Sequence, residues 1–129
     1  MIVIESSAMV NALVGDPANP GLLALLADEE LHAPALLDFE VASALRGHAL
    51  AGKLDPVRLE EAVGDFIAFR IERHPMTNLL GHLLDLQDNF TAYDAAYLVL
   101  ARALDSPVVS ADAKLREAAR LGIDVRILE

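Results

Sequence analysis

Ile2-Val3-Ile4-Glu5-Ser6-Ser7-Ala8-Met9-Val10 decides the fold. Three consecutive β-branched residues suit a strand buried on both faces, because branched side chains pack well on a pleated surface and a two-sided burial needs no alternation. Ser6 or Ser7 then supplies a cap for a helix running on to Val14. A strand that gives way to a helix at residue 5 is the first half of a β-α-β unit. Outward from it the same switch recurs. Leu31 to Pro34 is a short strand candidate ahead of a helical stretch from Leu36 to Ala51, and Arg70 to His74 suits another short strand. Val108-Val109 begins a further strand, followed by a helix over Asp112 to Arg120 that Gly122 stops. Val125 to Leu128 makes the last strand.

Between these lie helical patterns. Leu22 to Glu29 forms one helix, and Asp55-Pro56 opens another, on which Leu59, Ala62, Val63, Phe66 and Ile67 paint one apolar stripe. Leu79, Leu80, Leu83 and Leu84 repeat the helical period, and Phe90 to Leu104 is apolar nearly all round, as a heavily buried helix must be. Alternating strands and helices predict right-handed crossovers and a three-layer α/β/α sandwich around a central, mainly parallel sheet of about four to five short strands. With 129 residues and no linker-like tract, residues 1–129 are expected to form a single domain.

Composition narrows the chemistry. No cysteine is present, which excludes disulfides, thiolate metal sites and a cysteine nucleophile, and is compatible with a cytoplasmic location. The chain carries 20 acidic residues against 10 Lys plus Arg, a net charge of −10, which is the reverse of a general nucleic-acid binder. Bound divalent cations or a basic partner chain would offset that charge. Hydrophobic content is 54%, yet apolar runs such as Leu22 to Ala27 fall far short of the roughly twenty residues that span a bilayer, so no membrane association is expected.

A parallel sheet binds ligands beyond the carboxyl ends of its strands. Glu5 closes the first strand and Asp112 follows the Val108-Val109 strand, so topology brings them to the same edge. Glu40, early on the helix after the second strand, and Asp94, in the first turn of the buried helix, can face that edge too. About four converging carboxylates require bound cations or raised pKa values, and hard oxygen donors favour Mg²⁺ or Mn²⁺. Each acid has a plainer reading. Asp94 follows Thr91 by three residues as in a capping box, Asp112 can cap the last helix, Glu5 can end a strand, and Glu40 can be a surface helix acid. Asp38 is assigned to the helix start or to a supporting position. Asn11, one turn after Ser7, is a weak candidate for the same pocket. Tyr93 and Tyr97 are read as packing in or beside the core. His32, His48, His74 and His82 show neither HxxxH nor HExxH spacing, so neither zinc binding nor general-base work is assigned to them.

Four segments together resemble the PIN-domain nucleases, and within them the VapC-like toxins of bacterial toxin–antitoxin pairs. They are Ile2 to Val10, Ala33-Pro-Ala-Leu-Leu-Asp-Phe-Glu-Val-Ala-Ser-Ala-Leu-Arg46, Thr91-Ala-Tyr-Asp-Ala-Ala-Tyr-Leu-Val-Leu-Ala101 and Val108-Val-Ser-Ala-Asp-Ala-Lys-Leu115. Their order and spacing span essentially the whole chain. The resemblance implies a Mg²⁺- or Mn²⁺-dependent endoribonuclease whose acidic quartet falls on Glu5, Glu40, Asp94 and Asp112. Ser110 takes the place of a supporting hydroxyl, and Ser7 and Asn11 are weaker supports. Glu5, Asp94 and Asp112 are implied as metal ligands, with Glu40 serving a second ion or a water. It further implies an RNA substrate such as tRNA or rRNA, a small basic VapB-like antitoxin, and a homodimer, with Leu22 to Leu26 or Leu59 to Ile67 as candidate interfaces. The family's first acid is ordinarily Asp, and here it is Glu5, one methylene longer. The alternative function is therefore a catalytically impaired PIN-like binding module. A phosphate-accepting receiver domain fits less well, since the Asp and Lys positions it needs are not matched.

Overall fold

The computed structural model describes residues 1–128. Strand β1 (Ile2–Ile4) is the centre of a five-stranded sheet of order β3-β2-β1-β4-β5, with β2 (Leu31–Pro34), β3 (Ile71–His74), β4 (Val108–Ser110) and β5 (Val125–Ile127). Every neighbouring pair is parallel. Ile2, Val3 and Ile4 are all buried, as the unbroken β-branched run requires of a central strand covered on both faces.

Among the described residues six α-helices link the first four strands: α1 (Ser6–Val14), α2 (Pro20–Asp28), α3 (Leu37–Leu50), α4 (Pro56–Ala68), α5 (Leu80–Leu84) and α6 (Ala92–Leu104). From β1 to β2 to β3 the chain steps one way across the sheet, then it returns past β1 to β4 and β5. Right-handed crossovers therefore put α1 to α4 on one face and α5 and α6 on the other. Contacts agree, with α1 packed on α3 and α4, and α6 laid over β1, β2 and β4. The direction of winding reverses between β1 and β4, which register Val3 on Val108 and Ile4 on Val109. Beyond the carboxyl ends of those two strands lies the crevice in which such folds bind ligands.

Local chemistry explains the element ends. Asn19 and Asp55 cap α2 and α4 with their side chains, each followed by a proline whose fixed φ suits the first helical turn. Thr91 caps α6 by accepting from the Asp94 N–H at 3.2 Å. The α6 stretch from Ala95 to Ala101 is buried without interruption, which accounts for its lack of a polar face. Gly122 adopts the left-handed conformation at φ 77° that ends the segment before β5.

Two readings change in detail. The segment after Asp112 is a 3-10 helix over Ala113–Leu121, and a 3-10 turn at Thr77–Leu79 precedes α5. Within the candidate interface on α2, Leu22 and Leu26 are core residues while Leu23 is exposed. In the other candidate interface Ala62 and Phe66 are buried, while Val63 and Ile67 remain exposed.

Candidate active site at the sheet switch point

Glu5 ends β1 and caps α1, accepting from the Ser7 N–H at 3.0 Å. It is only 5% exposed, so it is not a strand-end acid with a solvated head. Four donors stabilise its buried charge. Besides the Ser7 amide, the Ser7 hydroxyl donates to Oε2, the Ser110 hydroxyl to Oε2 at 2.7 Å, and the Ser6 hydroxyl to Oε1 at 2.9 Å. Buried carboxylates need this satisfaction, because an unpaired one costs several kcal/mol. Ser110 reaches Glu5 because it closes β4, the strand paired beside β1. Its oxygen also accepts from the Asp112 N–H at 2.9 Å, and the Ser7 oxygen accepts from the Ala111 N–H at 2.9 Å. A serine network thereby fixes the loop carrying Asp112 against the end of β1.

Asp94 and Asp112 meet through a cation. The Lys114 ammonium lies 3.2 Å from Asp94 Oδ2 and 3.3 Å from Asp112 Oδ2. Its pKa is held above the ordinary lysine value, first by Asp94 and then by Asp112. Asp94 is 15% exposed and Asp112 33%, so both carboxylates are recessed but reachable from solvent. Asp112 also caps the 3-10 segment by accepting from the Lys114 N–H at 3.1 Å. The plainer capping reading of Asp112 and its place in the cluster are therefore both observed.

Glu40 lies in the first turn of α3 and accepts from the Tyr97 hydroxyl at 2.6 Å. Tyr97 is fully buried on α6. Burial, followed by the bond to Glu40 and the nearby charge of Glu5, raises its pKa far beyond the ordinary tyrosine value, so the hydroxyl remains a donor. Asp94 and Tyr97 are three residues apart on α6, so one helix face serves two of the acids.

The other candidates sit apart from this cluster. Asn11 turns its side-chain oxygen to the Asn19 N–H at 3.0 Å and ties α1 to the start of α2. Asp38 pairs with Arg73 Nε at 2.8 Å on β3. Ser6, Lys114 and the Tyr97 hydroxyl were missed from sequence. The signals were present, in a hydroxyl within a buried, largely apolar helix stretch and a lysine two residues after an acid, but each is common elsewhere.

In donor chemistry the edge fits a hard divalent cation, since two carboxylate oxygens already share one positive charge at Lys114. Among the described residues the four acids do not, however, close to mutual distances within 4.8 Å. Lys114 would have to withdraw, and Glu5 would have to exchange a serine contact, to form a tighter set.

The chain matches the PIN domain family over residues 2–121. It is 35% identical over 117 residues to ribonuclease VapC9 of Mycobacterium tuberculosis, covering 91% of this chain and 90% of that protein. To ribonuclease VapC1 of the same species it is 34% identical over 129 residues, covering 98% and 96%. The crystal structure of PAE2754 from Pyrobaculum aerophilum shares the fold, with a TM-score of 0.67 at 18% identity, covering 98% of this chain and 83% of that one. The chain belongs to the PIN-domain family and stands in its VapC-like branch.

Proposed function

We propose that this protein is an endoribonuclease, the toxin of a toxin–antitoxin pair, and that it hydrolyses RNA with Mg²⁺ or Mn²⁺ bound among Glu5, Asp94 and Asp112. The observation that carries this reading is the gathering of Asp94 and Asp112 around one cationic group beside the Glu5–Ser110 contact at the sheet's switch point. Relatives named as ribonucleases support RNA as the substrate. When bound, the divalent ion supplies charge neutralisation and acidifies a water for attack on phosphorus.

The chain's own residues do the rest. Asp94 and Asp112 provide the recessed anionic seat. Ser110 and Ser7 hold Glu5 at the sheet edge, and one of these hydroxyl contacts would give way where Glu5 turned to an ion. Glu40, oriented by Tyr97, aligns the attacking water. In-line attack by water leaves a 5′-phosphate and a 3′-hydroxyl. Lys114, whose ammonium spans Asp94 and Asp112, would be free to pair with a phosphate oxygen where an ion took its place between them.

The second reading is an impaired binding module, favoured by the serine contacts that already occupy Glu5 and by the Lys114 bridge. One experiment separates the two. Wild type and Asp94→Asn are incubated with structured RNAs, tRNA included, in Mg²⁺, Mn²⁺ or EDTA, and the cut ends are mapped. Discrete metal-dependent cuts that fall by about 10²-fold or more in Asp94→Asn are expected. Cuts of equal rate in the variant would remove the nuclease assignment. No cuts from folded wild type would leave the binding module.

A further inference from the structure

The strand register gathers two histidines that sequence spacing keeps apart. Parallel pairing sets His32 of β2 opposite Glu72 of β3, and Pro34 opposite His74. Side chains two apart on a strand share a face, so His32, Glu72 and His74 all project from one side of the sheet. Arg73, which alternates with them, contacts Asp38 of α3 and the Phe66 ring of α4 on the other side. Glu30, immediately before β2, lies on the same side as His32.

The four side chains form a connected set. His32 Nδ1 is 2.8 Å from His74 Nε2 and 3.6 Å from Glu72 Oε2, and His32 Nε2 is 2.6 Å from Glu30 Oε1. One donor atom from each of His32, Glu72 and His74 lies within 4.8 Å of the other two. The His32 side chain is only 4% exposed, whereas those of Glu30 and Glu72 are 64% exposed. Glu30 and Glu72 also line an open groove of about 480 Å³ with Leu31 and Arg70, which provides access from solvent.

We propose that His32, His74 and Glu72 form a binding site for a late first-row divalent ion, Zn²⁺ above all, separate from the carboxylates at the switch point. Two imidazoles and a carboxylate are a standard donor set for Zn²⁺, with the remaining position left to water. Mg²⁺ prefers oxygen ligands and has no comparable reason to bind here. Glu30 completes the arrangement. As an ionised carboxylate it can only accept, so the proton of neutral His32 sits on Nε2 and the Nδ1 lone pair faces the site. With that tautomer and no ion, the 2.8 Å contact requires His74 to carry its proton on Nε2 and donate to that lone pair. On binding, His74 carries its proton on Nδ1 instead and presents Nε2, so neither imidazole need lose a net proton. Bonds of roughly 2.0–2.1 Å in a tetrahedral site hold two nitrogens roughly 3.3 Å apart. The rings therefore part by roughly 0.5 Å from their hydrogen-bonded spacing. An ion there would fasten edge strand β3 to β2.

This site does not depend on the ribonuclease reading, and its test needs no RNA. Tag-free wild type, His74→Gln, Glu72→Gln, Glu30→Gln and Asp94→Asn are titrated with Zn²⁺ by calorimetry. Co²⁺ absorption is followed in parallel as a reporter of nitrogen ligation. One Zn²⁺ per chain is expected in wild type and Asp94→Asn with equal affinity. His74→Gln and Glu72→Gln should weaken it by about 10²-fold, and Glu30→Gln by about 10-fold. Circular dichroism checks that His74→Gln is folded, and the exposed Glu72 provides a variant that leaves the core intact. Absence of stoichiometric Zn²⁺ binding in wild type would overturn the proposal. So would undiminished binding in Glu72→Gln, or loss in Asp94→Asn alone, which would assign the ion to the switch-point acids.

Discussion

Glu5 and Asp94 share a charge but not a role in stability. Glu5 is enclosed by three serines and a backbone amide, while Asp94 faces an exposed lysine from a recess open to water. Hydrogen bonds to a charged group contribute about 1.5–3 kcal/mol each in mutational series, and a buried donor left without its acceptor costs more than an exposed one. Glu5→Gln keeps the volume but puts an amide where four donors converge. It should destabilise the fold by about 2–3 kcal/mol in urea melts as well as reduce RNA cleavage. Asp94→Asn should leave the melt within about 0.5 kcal/mol of wild type. Equal melts for the two variants would show that the serine contacts contribute little to holding β1, α1 and β4 together. Glu5 could be read from sequence as a strand-end acid, and its neighbours Ser6 and Ser7 as caps. That the acid itself caps α1 could not, because the choice among adjacent capping residues depends on where β4 brings Ser110.

Helix α6 links the core to the site. Its continuous burial anchors it, its first turn carries Asp94, and Tyr97 one turn later holds Glu40. Thr91 is its N-cap, and replacing such a cap by alanine costs about 1 kcal/mol. Thr91→Ala should lower the urea midpoint with an unchanged slope. A changed slope would mean that the start of α6 unravels separately from the domain. The sequence made this helix and strands β1, β4 and β5 legible because they rest on a long apolar pattern or on β-branched residues, whereas β2 (Leu-His-Ala-Pro) and β3 (Ile-Glu-Arg-His) were legible only as short segments between helices. The segment after Asp112 was legible only as helical. Its buried anchors, Leu115 and Ala118, are three residues apart, a spacing that suits a 3-10 helix and an α-helix alike. The His32–His74 contact was hidden for a different reason. It depends on the register between β2 and β3, whereas the HxxxH rule describes neighbours on one helix.

At the scale of the molecule, the net charge of −10 and the exposed apolar side chains of Phe39 and Tyr93 beside Glu40 favour different kinds of encounter. Phe39, 78% exposed, and Tyr93 line a shallow groove of about 370 Å³ with Leu36, Glu40 and Ser43. A basic antitoxin, the partner expected of a VapC-like toxin, would be drawn in by long-range attraction and then retained by contacts of this apolar kind. The first contribution is screened within about 10 Å at 0.1 M salt and about 3 Å at 1 M, whereas burial of apolar surface is not. The association rate should therefore fall by at least about 10-fold between low and high salt, with a much smaller change in the dissociation rate. Stopped-flow mixing with a fluorescent antitoxin segment measures both. Phe39→Ala should show the converse, faster dissociation with the salt dependence of association preserved. If association were instead independent of salt, the acidic surface would play no part in capture. The excess of negative charge would then belong to keeping RNA away from every face except the one at which cations gather.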